Sequence, residues 1–214
     1  MAVMTIRQQL YHTLKQRILD GVYPPGTHLN IDIIAKEQGV SNSPLREAMT
    51  LLVQDRLVES RPNAGMYVID ITAQLYRELV DTINTWIVGA YRLCLKYGKT
   101  AVLLSLMQER FCTLKKVIRR GTDRERIFAV LDFQRCFVIA TENKVFISSF
   151  NSDFDRLCLA YYYNHLGREI NWDTNVQRAS TIIDAVKKGL VDTVSDMIWT
   201  WSVPHFEIDQ AIED

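Results

Sequence analysis

The sequence reads Gly-Val-Ser-Asn-Ser-Pro-Leu-Arg-Glu-Ala-Met-Thr-Leu-Leu from Gly39 to Leu52, and this stretch decides the fold. Gly39 is typical of a residue that ends a short helix. Ser41 and Ser43 offer side-chain oxygens to the unpaired N–H groups at the start of the next helix. Pro44 suits the first turn of that helix, where its missing N–H removes no hydrogen bond. The stretch therefore predicts two helices joined by a tight turn.

The second of these helices has two faces of different chemistry. Its apolar face repeats at helical spacing through Ala48, Leu51 and Leu52. The opposite face carries polar side chains near the N-terminal end of the helix, at Asn42, Ser43 and Arg46. A short helix, a tight turn and then a helix with polar side chains in its first turns are typical of a helix-turn-helix.

The residues before this stretch supply further helices. Residues 4–20 have the spacing of an amphipathic helix. Two prolines and a glycine within residues 22–26 predict a stiff turn. Asn30 is a suitable cap for a short helix over residues 31–38. The polar-faced helix, over about residues 41–55, is then the third helix of one small domain.

A β-hairpin is predicted directly after the third helix. Residues 57–61 and 66–70 are short β-type runs, and residues 62–65, Pro-Asn-Ala-Gly, carry turn chemistry between them. A hairpin that follows a helix-turn-helix indicates the wing of a winged-helix domain. The alternative is a small α+β module that binds protein.

The chain changes in character from Thr72 onward, where long helical periodicities dominate and Gly and Pro become rare. We expect helices over residues 73–96, 100–120, 123–141, 144–166, 173–188 and 190–203. The predicted fold class is mainly α, with an N-terminal winged helix-turn-helix of three helices plus a β-hairpin wing and a C-terminal all-α helical bundle. We place the domain boundary at the end of the wing, which gives domains of residues 1–71 and 72–214.

The composition is that of an ordinary globular protein, with 48% hydrophobic residues, 23% charged residues and no net charge. The first 71 residues hold seven Lys or Arg and seven Asp or Glu. Any positive field toward a nucleic acid must therefore come from the arrangement of the charges. No apolar run approaches the roughly 18 residues that span a bilayer, and the N-terminus lacks the pattern of a signal peptide. We expect no membrane association and a cytoplasmic location.

The sequence carries no signature of catalysis. It contains no Gly-rich phosphate loop, no Gly-x-Ser-x-Gly, no His-Glu-x-x-His and no pair of carboxylates on one helix face. Asp132 and Cys136 do not make a nucleophile constellation without a nearby base. The four cysteines include no zinc-type Cys-x-x-Cys pair. We therefore expect that the protein is not an enzyme.

Three blocks of the first domain resemble the GntR family of winged-helix regulators. Residues 14–29 resemble the family's opening helix and Pro-Gly turn, residues 40–48 its recognition-helix motif, and residues 61–68 its wing. The helical remainder is similar in size and helix pattern to the effector domain of the FadR/FCD branch, through residues 131–143 and 185–189. The resemblance implies a homodimeric, sequence-specific transcriptional regulator, most often a repressor, that binds a palindromic double-stranded DNA operator.

The resemblance also implies which side chains meet DNA. Four come from the recognition helix and two from the wing tip, which lies along the minor groove: Ser41, Asn42, Ser43, Arg46, Asn63 and Gly65. Arg46 can contact a phosphate or form a bidentate pair with guanine. Gly65 lets the backbone approach closely where a side chain would collide. The family most often has Arg where this chain has Asn42, and asparagine prefers adenine and adds no charge.

Many FCD-type domains hold a divalent metal between one Asp and three His. Carried over by position, Asp132 matches the Asp, whereas Cys136, Ala179 and Trp201 stand near the places of the histidines. A Zn²⁺ or Mn²⁺ site needs three or four ligands that converge on one point. We therefore expect a degenerate metal site and no cofactor, with an Asp132/Cys136/His205 cluster as the alternative.

The same resemblance implies an effector site inside the helical bundle. The Arg and Glu that often contact an effector carboxylate fall at isoleucines of this chain, so the predicted lining is largely apolar: Ile83, Trp86, Asp132, Cys136 and Trp201. We expect a small-molecule effector that is less acidic than those of metal-containing relatives. The alternative is a regulator whose helical domain has lost metal and carboxylate sensing and acts constitutively or through a protein partner.

Overall fold

A computed structural model describes residues 4–201 of the chain. Within this range the elements follow in the order α1 (Ile6–Leu19), α2 (Ile31–Gln38), α3 (Asn42–Gln54), β1 (Val58–Arg61), β2 (Gly65–Val68), α4 (Ala73–Lys96), α5 (Thr100–Arg120), α6 (Asp123–Ala140), α7 (Lys144–His165), α8 (Trp172–Lys187) and α9 (Val191–Trp201). The fold class is mainly α, as the sequence predicts. Every helix of residues 4–201 is too short or too polar to cross a membrane.

Local sequence signals set most of the helix ends. The Asn30 side chain accepts a hydrogen bond from the Ile33 N–H and caps α2, which confirms the predicted start of that helix. Gly39 ends α2 with φ of 64°, a left-handed conformation that glycine adopts without strain. The predicted ends of α4 to α8 agree with the structure to within one residue. The end predicted for α9, residue 203, lies outside the described residues.

One predicted cap is wrong. Ser41 has the extended backbone of an N-cap residue, with φ of −76° and ψ of 164°, but its side chain makes no capping hydrogen bond. α3 begins at Asn42, so Pro44 lies in the first turn as expected. The exposed Ser41 side chain therefore does not cap the N-terminus of α3.

The two strands form the predicted hairpin. β1 and β2 are antiparallel, with Val58 opposite Val68 and Arg61 opposite Gly65. An isolated bridge between His28 and Tyr67 attaches the segment before α2 to β2. The three helices and the hairpin confirm the winged helix-turn-helix.

The described chain divides into two compact units. The first contains the chain up to Leu79, together with Thr122–Phe128 and Asn143–Ile170. Its α1 packs on α3, and the shared core includes Leu14, Ile18, Leu45, Met49 and Leu52, all with essentially no exposed surface. Leu159 of α7 belongs to the same apolar cluster. The winged helix is therefore completed by a helix that lies far along the chain.

The second unit contains Val80–Gly121, Ala129–Glu142 and the chain from Asn171 onward. Within it α8 packs against both α5 and α9. Buried aromatic side chains fill its interior, among them Tyr91, Phe133 and Phe137. The units interleave along the sequence, so the proposed boundary between residues 71 and 72 stays a prediction about sequence domains.

Candidate DNA-binding surface and helical-unit site

α3 is amphipathic in the structure as in the sequence. Its buried side is Leu45, Ala48, Met49 and Leu52, each with no exposed surface. Its exposed side begins at the helix N-terminus with Ser41, Asn42, Ser43 and Arg46. Because the buried side fixes the rotation of the helix, these polar side chains are held outward on one surface, which we call the α3 polar face.

Asn42 is the one member of the α3 polar face that has a side-chain partner within residues 4–201. Its Nδ2 donates a hydrogen bond of 2.7 Å to Oδ1 of Asp32, in the first turn of α2. Both residues are exposed. The turn between α2 and α3 thus brings the Asp32 carboxylate against the Asn42 amide.

Arg46 is exposed and forms no ion pair within residues 4–201. Five of the six other cations of the winged helix pair with nearby carboxylates: Arg7 with Glu47, Lys15 with Asp55 and Asp155, Arg17 with Glu37, Arg56 with Asp153, and Arg61 with Glu59 and Asp70. The sixth, Lys36, is exposed and forms no ion pair within residues 4–201. The balanced charge of this region is therefore distributed so that the guanidinium on the α3 polar face stays available.

The wing tip is built from two residues in the left-handed region. Asn63 has φ of 59° and Gly65 has φ of 99°, and both are exposed. A Cβ atom at Gly65 would stand 2.8 Å from Nε2 of His28. The sequence suggested that Gly65 allows close approach of DNA, and the structure adds that the glycine also makes room for His28.

A stack of side chains fixes the wing beside this tip. The rings of His28 and Tyr67 lie 4.8 Å apart, and the Arg61 guanidinium lies 4.2 Å from the centre of the Tyr67 ring. Arg61 also binds the carboxylates of Glu59 and Asp70. Since the Tyr67 ring contacts both His28, which precedes α2, and Arg61 of β1, these side chains link the wing to the segment before α2.

Polar contacts join α7 to the winged helix inside the first unit. Nζ of Lys15, in α1, lies 2.9 Å from Oδ2 of Asp55 and 2.6 Å from Oδ2 of Asp155. Burial by itself would lower the pKa of the Lys15 ammonium, but hydrogen bonds to Asp155, Tyr11 and Asp55 outweigh burial and raise the pKa. The ammonium therefore stays charged between two carboxylates, one after α3 and one on α7.

α1 is also held at its C-terminal end. The Arg124 guanidinium, near the start of α6, donates to the carbonyl oxygen of Leu19 and lies 3.5 Å from the centre of the Tyr162 ring. A positive group at the end of a helix satisfies a free carbonyl and opposes the helix dipole. Arg124 therefore links the C-terminal end of α1 to α7.

In the second unit, Asp132 of α6 is 7% exposed and is compensated by two arginines. Nη1 of Arg110 lies 3.2 Å from its Oδ2, and Nη1 of Arg135 lies 3.7 Å from its Oδ1. A buried carboxylate of this kind is stable because the cations replace its lost hydration. Both of its oxygens face a guanidinium.

Cys136 lies one turn further along α6 and is fully buried. Its Sγ donates to the Asp132 carbonyl oxygen at 3.8 Å. Burial, and then the charge of Asp132, raises the pKa of the Cys136 thiol to about 12. With no metal bound, the thiol is therefore protonated at neutral pH.

The remaining predicted effector-site residues are also buried in this unit. Ile83 is 2% exposed and Trp201 is 4% exposed. Nε1 of Trp201 donates to Oδ1 of Asn175 at 3.0 Å, and its ring lies 5.7 Å from the ring of Phe133. Trp201 thus packs on the residue beside Asp132, whereas no described contact joins Ile83 to the carboxylate.

Within residues 4–201, the side chains near Asp132 do not supply the one Asp and three His that the family resemblance implies for a divalent metal. No group of three His, Cys, Asp or Glu side chains within residues 4–201 could hold a metal ion. Ala179 and Trp201 offer no ligand atom suited to it, and both Asp132 oxygens face arginines. His205, the alternative ligand, lies outside the described residues.

Sequence reasoning missed the partners of several site residues. Asp32 meets Asn42 across ten residues, Asn175 meets Trp201 across 26, and Arg110 meets an aspartate on the following helix. Helical periodicity identifies the face on which a side chain lies, but it does not identify the residue opposite. The local sequence signal for such a partner is a single polar residue, such as Asn175, on a largely apolar helix face.

Comparisons with known proteins agree with this geometry. Residues 6–68 match the family model of bacterial regulatory proteins, gntR family. The uncharacterized HTH-type transcriptional regulator YdhC of Bacillus subtilis is 41% identical over 66 residues, which are 31% of this chain and 30% of that protein. The chain spans about a third of the length of the first curated relatives that it matches.

Two further similarities extend beyond the winged helix. The Uxu operon regulator of Haemophilus influenzae is 25% identical over 207 residues, which cover 87% of this chain and 75% of that protein. The structure of Escherichia coli McbR/YncC matches with a TM-score of 0.72 at 18% identity, over 93% of this chain and 95% of that one, which shows a shared fold.

The curated relatives are named as transcription regulators, some as repressors, and not as enzymes, in accord with the expectation from the sequence. The family match covers the same residues that form the three helices and the wing. The N-terminal domain of this chain, residues 6–68, is therefore similar to the helix-turn-helix domain of bacterial regulatory proteins of the gntR family.

Proposed function

We propose that this protein is a sequence-specific DNA-binding transcriptional regulator that binds a palindromic operator as a homodimer and acts as a repressor in the cytoplasm. The observation that carries the proposal is the α3 polar face, whose side chains are exposed while the opposite side of α3 is fully buried. A helix that reads base edges in the major groove needs one buried face that fixes its orientation and one exposed polar face that contacts DNA.

The charges support the same conclusion. Arg46 projects from the α3 polar face with no carboxylate partner within residues 4–201, so it is available to phosphate or to guanine. The wing tip at Asn63 and Gly65 is exposed and small enough to follow a narrow groove. A palindromic site requires two copies of this surface, which is why we propose a homodimer.

The proposal is tested by selecting binding sites from randomised DNA duplexes with the full-length protein. We expect a palindrome whose half-sites are about 10 base pairs apart, and a mass in solution of two chains. Arg46→Ala should weaken binding to the selected duplex by about 1–3 kcal/mol, because it removes either a base pair contact or a phosphate contact.

The matched control is Arg119→Ala, which removes an exposed arginine from the last turn of α5. We expect its affinity for the selected duplex to equal that of the unchanged protein. If Arg46→Ala and Arg119→Ala bind alike, the α3 polar face is not the reading surface.

We further propose that the second unit binds a small, largely apolar effector that alters the affinity for DNA. The support is the burial of Ile83 and Trp201 in that unit, and the pairing of Arg110 and Arg135 with Asp132, which leaves these two guanidinium groups less available to an acidic effector. Thermal-shift measurements with apolar and carboxylate metabolites should give stabilisation by the apolar set alone.

The same ion pairs favour a second candidate, in which the helical unit has lost sensing and the regulator acts constitutively or through a protein partner. Both Asp132 oxygens are then occupied for structural reasons only. This candidate is supported if no metabolite raises the melting temperature while DNA binding remains intact.

A further inference from the structure

The hydrogen bond between Asp32 and Asn42 stands in the middle of the surface that we propose reads DNA. Asp32 is an exposed residue of the first turn of α2, and it forms no ion pair within residues 4–201. Its Oδ1 lies 2.7 Å from Nδ2 of Asn42, the first residue of α3. A carboxylate facing DNA repels phosphates, so its presence here calls for a physical reason.

The chemistry of the pair supplies that reason. An ionised carboxylate only accepts hydrogen bonds, whereas the two ends of an asparagine amide differ, one being a donor and the other an acceptor. Asp32 can therefore bind the NH₂ end of Asn42 and not the carbonyl end. The pair fixes which way the amide points, and it leaves one N–H and Oδ1 of Asn42 unused.

The unused donor and acceptor match one base. Adenine presents an N7 acceptor and an N6 donor side by side in the major groove, whereas guanine presents two acceptors there. An amide held with its carbonyl oxygen outward meets the adenine N6 donor and is mismatched with guanine O6. Holding the amide before DNA arrives also removes the entropy that a free side chain would lose on binding.

We propose that Asp32 is a positioning residue that sets the base preference of Asn42, so that the operator has an adenine at the base pair opposite Asn42. The inference rests on the proposed DNA-binding function. It makes two separable claims: the hydrogen bond from Asn42 increases discrimination between bases, and the carboxylate charge decreases affinity for DNA of any sequence.

The test uses the full-length protein and duplexes obtained by selection from a randomised library. Each base pair of the selected half-site is changed in turn, and dissociation constants are measured by fluorescence anisotropy. Asn42→Ala identifies the position read by Asn42, as the one at which the preference for adenine is lost. Asp32→Ala should reduce the preference at that same position by about 3- to 30-fold.

Two further variants separate geometry from charge. Asp32→Asn keeps an acceptor oxygen without the charge, so it should retain more of the adenine preference than Asp32→Ala does. Both variants should bind an unrelated duplex more tightly than the unchanged protein, and the double variant Asp32→Ala with Asn42→Ala should discriminate no less than Asn42→Ala alone. Circular dichroism of each variant should match that of the unchanged protein, because the substituted residues are exposed.

The matched control is Glu37→Ala, which removes another exposed carboxylate of α2 that lies near Arg17 rather than Asn42. It should leave every base preference unchanged. The inference is overturned if Asp32→Ala keeps the full preference for adenine, if it alters a different position, or if Asn42→Ala changes no position. A protein that selects no sequence at all overturns the proposed function itself.

Discussion

At the scale of the residue, Gly65 joins two demands in the wing. Its φ of 99° disfavours any residue with a Cβ, and a Cβ there would stand 2.8 Å from Nε2 of His28. The ring of His28 is in turn held against Tyr67. The conformation of the wing tip and the position of His28 are therefore set together.

We expect Gly65→Ala to lower the free energy of unfolding by about 1–3 kcal/mol, as measured by urea denaturation, because both the backbone and His28 are strained. Adding His28→Ala removes the steric contact but not the cost of the strained backbone. The double variant should therefore lose less free energy of unfolding than the sum of the losses of the two single variants. Strictly additive effects of the two substitutions would contradict the contact.

His165 predicts a dependence of stability on pH. Its ring stacks on Tyr161 at 4.2 Å, and Nδ1 donates to the Tyr161 carbonyl oxygen at 2.9 Å. Burial lowers the pKa of His165 below the usual value near 6.5 and outweighs the hydrogen bond to Tyr161. The folded state thus favours the neutral ring, so its contribution is complete above the unfolded pKa and is lost as pH falls toward the folded pKa.

We therefore expect the melting temperature to fall between pH 7.5 and pH 5.5, two values chosen to lie on either side of about 6.5 and above the range of ordinary carboxylates. His165→Phe keeps the ring stack and removes the titration, so its melting temperature should fall less over the same interval. Equal decreases for the two proteins would show that other groups cause the acid sensitivity.

At the scale of the element, α7 is part of the winged-helix core. Leu159 is 1% exposed and packs within the cluster formed by α1, α2, α3 and the wing. Asp155 on the same helix binds Lys15. The stability of α3 therefore depends on α7, which begins at Lys144, 90 residues after α3 ends at Gln54.

We expect Leu159→Ala to lower the free energy of unfolding by about 2–5 kcal/mol and to increase amide hydrogen exchange in α1 and α3. Leu157→Ala is the control, since Leu157 is also buried on α7 but lies outside the winged-helix cluster. Its substitution should destabilise without the same selective exchange in α1 and α3. Identical exchange patterns for the two variants would argue against a specific contact of α7 with this core.

The elements themselves could be predicted from the sequence because their signals are local. Asn30 and Gly39 delimit α2 through hydrogen bonds and backbone preferences of their own neighbours. The predicted cap at Ser41 is wrong because the extended backbone of this residue does not require its side chain to form the capping hydrogen bond. The pairs Asp32–Asn42 and Arg110–Asp132 could not be predicted, since they depend on how helices pack.

At the scale of the whole molecule, Arg110 and Arg135 balance the charge of the buried Asp132 carboxylate, so its charge balance does not require a metal. We expect the purified protein to contain well under one equivalent of Zn or Mn by elemental analysis, and its melting temperature to be unchanged by dialysis against EDTA. A metal that is stoichiometric and resists dialysis would contradict this, and would direct attention to His205.

Leu159 also constrains how this regulator can be recombined with others. A chimaera that joins residues 1–71 to a foreign sensor would leave behind the side chain that closes the hydrophobic core of the transplanted part. Such a chimaera needs the segment containing α7, or an engineered substitute for it. Without that segment, the transplanted winged helix should be less stable than it is in this protein.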